Sequence, residues 1–272
     1  LLYIFGEIIC LIGILYLKIR IYFRYLWSWK NHYKIYDKLL LNCKNSEFIN
    51  NKIVSYNIHY GCDYYDNIKL NEILAFLKNE KAEIYVLQEF INIKFNNGKD
   101  SIYYIKKYLN MENHHIEYLF RNKNYEFSNI ILCKNKIQNY KKLKYRHWYL
   151  KNKNNCFSIK TQLYNQDIWI SNVHFISDIT GKQQIKQSKN LIEYIKNIDE
   201  SHLIVGDFNT PYNYKSVQYL KNNLKLCENR YNTFPSIYPF VKLDYCFTYK
   251  MEKRNVYRKN IFYSDHLPLI IE

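Results

Sequence analysis

Side chains that could act together on a phosphate ester recur in this sequence at one kind of place, directly after short apolar runs. They are Asn57, Gln88-Glu89, Asn172 with His174, Gly206-Asp207-Phe208-Asn209, Asp244 after Leu243, and Ser264-Asp265-His266 near the C-terminus. Phosphate esters resist attack because their oxygens repel an incoming oxyanion, so a catalyst must neutralise charge, generate a nucleophile and position both. A hard cation of the Mg²⁺ type, which takes oxygen ligands and usually one or two carboxylates, would meet the first need, with Mn²⁺ as the alternative ion. Glu89 is the expected principal ligand, with Asn57 and Asp265 close by; an Asn amide supplies oxygen without adding charge, which leaves the ion electrophilic. His266 is the expected base because imidazole titrates near neutral pH, and Asp244 can hold its other ring nitrogen. Asp207 would orient or deprotonate the attacking water. Asn209, two residues on, would donate to the phosphoryl oxygen, and His174 would bind the phosphate from the opposite side.

Each residue has an ordinary reading when taken singly. Asp207 and Asn209 beside Thr210-Pro211 suit a turn that caps a helix starting near Tyr214, and a lone His174 suits a packed core. Their occurrence together, in order, favours chemistry. His59, the pair His114-His115 and His147 fit no part of this scheme and read as surface or packing residues.

The elements that must position these groups are strands. Runs such as Ile53-Val54-Ser55-Tyr56 and Leu203-Ile204-Val205 are short, β-branched or aromatic, and bounded by polar residues, which reads as buried strand with the polar group emerging at the rim. Strands are expected over 53–58, 83–88, 127–133, 155–162, 167–174, 202–206, 243–248 and 268–271. Helical spacing of apolar residues predicts a helix over 68–77, capped by Asp66, and another over 185–198, with Ile185, Leu191, Ile192, Tyr194 and Ile195 as its apolar stripe.

Taken in order, these motifs resemble the endonuclease/exonuclease/phosphatase superfamily over roughly residues 50 to 272. The stretch Thr233-Phe234-Pro235-Ser236, Leu243-Asp244 and Ser264-Asp265-His266-Leu267-Pro268-Leu269 looks most like its compact bacterial-type members. The resemblance implies a four-layer α/β sandwich, two mixed β-sheets packed face to face with helices outside, and the pairing of Asp244 with His266. It implies a metal-dependent phosphoric ester hydrolase. Two departures stand out: Phe90-Ile91-Asn92 follows Glu89 where many nuclease members carry an Arg, and Phe127 to Lys134 lacks the family's usual glycine. Arg121, Arg146 and Tyr212 are the available candidates for substrate contact.

At 272 residues and 48% hydrophobic content, the chain can bury one large core plus an appendage. The formal net charge of +16 attracts nucleic acid and anionic membranes alike. Its weight is reduced by the abundance of Lys, Asn, Ile and Tyr, which an AT-rich genome yields. The 7 cysteines have no metal-type spacing and read as reduced thiols.

Residues 1 to 45 form a second region. Leu1 to Leu17 is apolar except for Glu7, would reach roughly 26 Å as a helix, and is followed by basic and aromatic residues suited to a membrane interface. The expectation is a membrane anchor ahead of a catalytic domain over 46–272, which the positive flank would place on the cytoplasmic side. No small-residue cleavage site follows the apolar run, so a cleavable secretory signal fits poorly. Three classes result: a nuclease, slightly favoured; a membrane-associated phospholipid or sphingolipid phosphodiesterase or phosphatase; and a non-catalytic adaptor, which gives no reason to keep Glu89, Asp207, Asp244 and His266 together. No protein partner is specified.

Overall fold

A computed structural model describes residues 35–36, 49–95, 97–121, 125–143, 156–227 and 231–272. The first sheet is built from β1 (Ile49–Asn57), β2 (Ala82–Ile93), β3 (Asn113–Arg121), β4 (Tyr125–Cys133), β11 (Val256–Arg258) and β12 (Leu269–Ile271), in the order β11-β12-β1-β2-β4-β3. The second holds β5 (Ile137–Leu143), β6 (Cys156–Leu163), β7 (Gln166–His174), β8 (His202–Asp207), β9 (Lys225–Leu226) and β10 (Asp244–Tyr249), in the order β5-β6-β7-β8-β10-β9. Only β1/β2 and β7/β8 pair in parallel, so each sheet is mixed.

Alternation along the strands generates the layers. Ile53, Ile84, Val86 and Ile131 of the first sheet meet Ile159, Ile170, Leu203 and Val205 of the second in one apolar layer. Val54, Tyr56, Tyr85 and Leu87 point the other way, onto α1 (Leu70–Glu80) and α2 (Ser101–Leu109). Ile204, Tyr245 and Phe247 likewise meet α3 (Lys182–Ile198) and α4 (Lys215–Asn223). This is the four-layer α/β sandwich that the family resemblance implies.

Every expected strand is present. Those the sequence reading omits, β3, β5, β9 and β11, are the two edges of each sheet. Edge strands need no continuous apolar run: β5 reads IQNYKKL and is mostly exposed, with lysines that discourage edge-to-edge pairing. Asp66 does not cap α1; it sits in a turn with φ 72°, and the helix starts after Lys69 without a side-chain cap. Helix α2, also unforeseen, is capped by Asp100, which accepts the Tyr103 N–H at 3.0 Å. In α3 the expected stripe covers only the C-terminal half. Gln183, Gln184, Gln187 and Ser188 are buried upstream of it, and Ile185 is only half-buried. Neither Asp207 nor Asn209 caps α4, which follows Tyr214 with no side-chain cap.

Most of the expected anchor segment lies outside the described residues. Its Tyr36 is 2% exposed and packs on Phe95 and Tyr104, so at least this residue belongs to the core around α2. No helix among the described residues is long and apolar enough to cross a membrane. The described cysteines, Cys62, Cys133, Cys156, Cys227 and Cys246, are buried free thiols.

Candidate active site

Strand periodicity decides which polar groups meet. Ile53, Ile170 and Val205 face the layer between the sheets, so Asn57, Asn172 and Asp207, at even spacing from them, continue that face toward the C-terminal ends of β1, β7 and β8. The layer therefore changes from apolar to polar at one end of the sandwich. The first polar tier is structural: buried Gln88 donates from Nε2 to Asn172 Oδ1 at 2.9 Å, and Asn172 Nδ2 donates to the carbonyls of Leu87 and Ile130. Asn172, one of the motif residues, is thus a tie between the sheets.

The second tier holds the remaining groups. Glu89 does not end its strand, as the sequence suggests. Strand β2 continues to Ile93, and Glu89 sits at φ 56° within a register shift between Leu87 and Phe90. Such a bulge re-aims a side chain, and here it lets Gln88 bind Asn172 while Glu89 also reaches the site. Glu89 Oε1 lies 3.7 Å from His174 Nε2, which is also 3.8 Å from Asp207 Oδ2. Asn57 Nδ2 donates to Asp207 Oδ2 at 3.1 Å. His266 Nδ1 lies 2.8 Å from Asp244 Oδ2, and its Nε2 faces Asp207 Oδ2 at 3.7 Å. Asp265 faces the same cluster, with Oδ2 3.7 Å from His59 Nε2.

Two assignments change with this geometry. Strand β8 ends at Asp207, and Asn209 turns back with φ 47°. Its Nδ2 donates to Phe175 O at 2.9 Å and to Asp207 Oδ2 at 3.2 Å, and its backbone N–H donates to Asp207 Oδ1 at 2.8 Å. With both amide protons committed inside the protein, Asn209 holds Asp207 rather than presenting a donor to a phosphoryl oxygen. His59, read as a surface or packing residue, is 4% exposed and adjoins the site: its N–H donates to Asn57 Oδ1 and its ring faces Asp265. His114 is exposed and His115 pairs with Glu117 away from the site, while His147 lies outside the described residues.

Electrostatics follow from crowding acids in a buried pocket. Burial, then the charge of Asp265 and, less, of Asp207, pushes the Glu89 carboxyl up to about 8, although His266 and Asn57 pull the other way. Burial also pushes Asp207 up to about 7, against the pull of His266 and with the charge of Asp244 adding to the rise. For His266 burial alone would lower the value, but the charges of Asp244 and Asp207 outweigh it and hold the imidazole well above its ordinary range. The two acids thus favour the protonated form of His266.

The residues fit a divalent cation. Glu89 Oε2 is buried with no hydrogen-bond partner, an arrangement that is costly unless an ion or water meets it. Asp207, Asp244 and His266 also have potential ligand atoms within 4.8 Å of one another. The 2.8 Å Asp244–His266 contact is a hydrogen bond that uses Nδ1, so the Glu89, Asn57 and Asp265 side suits a cation better.

The Exo_endo_phos model, described as Endonuclease/Exonuclease/phosphatase family, matches residues 54–266. The chain belongs to the endonuclease/exonuclease/phosphatase family. Members of this family are phosphoester hydrolases and are generally dependent on a divalent metal, and the chain is an enzyme of that kind. Comparison with curated proteins gives no match. Solved structures with the same fold include a family protein from Leptotrichia buccalis, at 17% identity and TM-score 0.64, covering 81% of this chain and 98% of that one. The beta toxin of Staphylococcus aureus matches at 16% identity and TM-score 0.60, covering 81% of this chain and 99% of the toxin. A mannosyl-6-phosphatase of Bacteroides thetaiotaomicron matches at 15% identity and TM-score 0.62, covering 81% and 98%.

Within this endonuclease/exonuclease/phosphatase frame, further residues hold the site in place. Asn129 of β4 accepts the Glu89 N–H at 3.2 Å and lies 3.3 Å from His174 Nδ1, and counting by twos from inward-facing Ile131 would have found it. Thr233 Oγ1 accepts the backbone N–H groups of Leu243 and Asp244, and Ser236 binds the backbone carbonyls of Ser264 and Asp265. The Thr233-to-Ser236 segment thus clamps both halves of the Asp244–His266 pair. Gln184 of α3 donates to the Asn209 carbonyl, which explains one of the buried glutamines. At Gly206, φ is 143° and a Cβ would fall 2.0 Å from Val173 O, so only glycine lets β7 and β8 close up beneath Asp207. Of the candidate substrate contacts, Arg121 stacks on Tyr118 and pairs with Glu126, Tyr212 is exposed, and Arg146 lies outside the described residues.

Proposed function

We propose that the chain hydrolyses phosphodiesters by in-line attack of water, with Mg²⁺ as the ion that Glu89, Asn57 and Asp265 hold. When bound, the ion neutralises the phosphoryl charge. Asp207, poised near 7 and steadied by Asn57 and Asn209, accepts the water proton. His266, kept as imidazolium by Asp244, donates to a phosphoryl oxygen as charge builds. His174, whose Nε2 lies within 4 Å of both Glu89 and Asp207, supports the phosphate from the far side. The water oxygen forms the new P–O bond, the ester P–O bond breaks, the leaving alkoxide takes a proton from solvent water, and Asp207 returns its proton to solvent.

The observation that carries this reading is the alignment Asp244–His266–Asp207 opposite the unpartnered Glu89 oxygen. Turnover of bis(4-nitrophenyl) phosphate with Mg²⁺ or EDTA tests it, beside plasmid DNA, RNA and phospholipid vesicles. Near-normal turnover by a folded His266→Ala chain would overturn it.

Nucleic acid is the substrate class supported by the net charge of +16. The second reading, a phospholipid, has support from the surface around the pocket and from the apolar, basic-flanked composition of residues 1 to 45. Membrane association on the cytoplasmic side belongs to that second reading.

A further inference from the structure

The exposed large apolar side chains are distributed unevenly. Among the described residues, all of them except Tyr140 lie on loops at the end of the sandwich where the site opens. Tyr64 and Tyr65 follow β1, Ile179 follows β7, and Tyr212 and Tyr214 follow β8. Tyr231, Ile237, Tyr238 and Phe240 precede Asp244, and Phe262 precedes His266. Tyrosine abundance does not explain the pattern, because the members that are not tyrosine, Ile179, Ile237, Phe240 and Phe262, are all at this end. Tyr238 is 78% exposed and Phe240 65%, yet their loop is not loose: Thr233 and Ser236 anchor it to Asp244, Ser264 and Asp265, and Phe234 packs on the His266 ring at 5.0 Å.

Charge is one-sided on the two loops nearest these tips. Residues 208–221 and 231–242 contain no acid, while the exposed Lys215 and half-buried Lys221 lie within them; Lys242 is buried, and the Tyr65 and Ile179 loops carry Asp66 and Asp178. Lys221 and Lys242 flank the Tyr212 ring, and Arg258 donates to the Asn232 carbonyl below Tyr231. Protruding apolar tips on a rigid loop, tyrosines around them and, on these two loops, accessible lysines without acids match the three zones of an anionic bilayer surface. A nucleic-acid platform needs ring faces for bases, and Ile179 and Ile237 have none.

Resting on the hydrolase reading above, we propose that this rim seats on an anionic phospholipid surface, with Ile237, Tyr238 and Phe240 inserted, so that the phosphodiester of a lipid head group is the substrate.

Two measurements on the full chain test this. In EDTA, where no turnover occurs, a Tyr238→Trp chain is mixed with vesicles of brominated phosphatidylcholine and phosphatidylserine. Quenching beyond that of the unsubstituted chain is expected, and equal quenching would overturn the docking surface whatever the enzyme hydrolyses. Second, Ile237→Ser, Tyr238→Ser and Phe240→Ser are combined. Head-group release from vesicles is expected to fall at least tenfold while bis(4-nitrophenyl) phosphate turnover stays within twofold. Unchanged release, or an equal fall on both substrates in a chain of unaltered melting temperature, would overturn the proposal. So would selective loss of cleavage of a single-stranded oligonucleotide. Failure of the hydrolase reading is distinct: soluble-ester turnover insensitive to EDTA and to His266→Ala, with quenching intact.

Discussion

The Glu89 carboxyl is where the ion-binding reading can be measured most directly. With its pKa at about 8 in the ion-free protein, Glu89 is mostly protonated at pH 7, so a cation that takes this oxygen must displace a proton. Apparent affinity should then rise about tenfold per pH unit below 8 and level off above it. From pH 6 to pH 8 that amounts to about 50-fold, or ~2.3 kcal/mol at ~1.36 kcal/mol per unit. Isothermal titration of Mg²⁺ in buffers of different ionisation enthalpy reads both the affinity and the proton released. Glu89→Gln should bind more weakly at every pH and lose the slope. Stability runs in the matching direction: a carboxyl raised in the folded state from 4.5 to about 8 contributes stability below pH ~4.5 that is lost as pH rises toward 8. The ion-free chain should therefore melt at a lower temperature at pH 8 than at pH 5, and Mg²⁺ should recover more at pH 8. A pH-independent affinity between 6 and 8, or unimpaired binding by Glu89→Gln, would refute the reasoning.

The remaining expectations can be checked by routine mutagenesis. His266→Ala and Asp207→Ala should each lower kcat by about a hundredfold to ten-thousandfold, with circular dichroism unchanged; Asp244→Asn should also move the alkaline limb of the pH–rate profile downward, since it removes the charge that raises His266. Gly206→Ala should lose activity and solubility together, because the 2.0 Å approach to Val173 O cannot be relieved without parting β7 from β8; a soluble, active variant would show the strand pairing to be different. Tyr36→Ala should cost about 3 kcal/mol in urea unfolding, as a large buried aromatic truncation does, and a chain starting at residue 46 should show the same loss while one starting at residue 35 does not.

Legibility in the sequence followed burial. Inner strands such as β8 announce themselves because both faces are apolar, Leu203 and Val205 toward one layer and Ile204 toward the other. The edges β3, β5, β9 and β11 touch the core on one side or hardly at all, and no buried hydrophobic run marks them. The same parity brings Asn57, His174, Asp207 and Asp244 to one pocket, because each sits in step with apolar residues facing the inter-sheet layer.

What the sequence could not convey is backbone that leaves its regular period. Glu89, His59 and Asn209 all have φ between 43° and 56°, a conformation that side chains with a Cβ adopt rarely, and counting along strands does not give where their side chains point. At Glu89 the departure brings two consecutive side chains, Gln88 and Glu89, to the same interior. At Asn209 it folds the amide back onto Asp207, and at His59 it tucks a ring against Asp265. Each holds an acid or its neighbour in a pocket where burial disfavours the charge. That joint cost in backbone strain and desolvation needs compensation, and a bound cation would relieve the electrostatic part for Glu89 and Asp207 together.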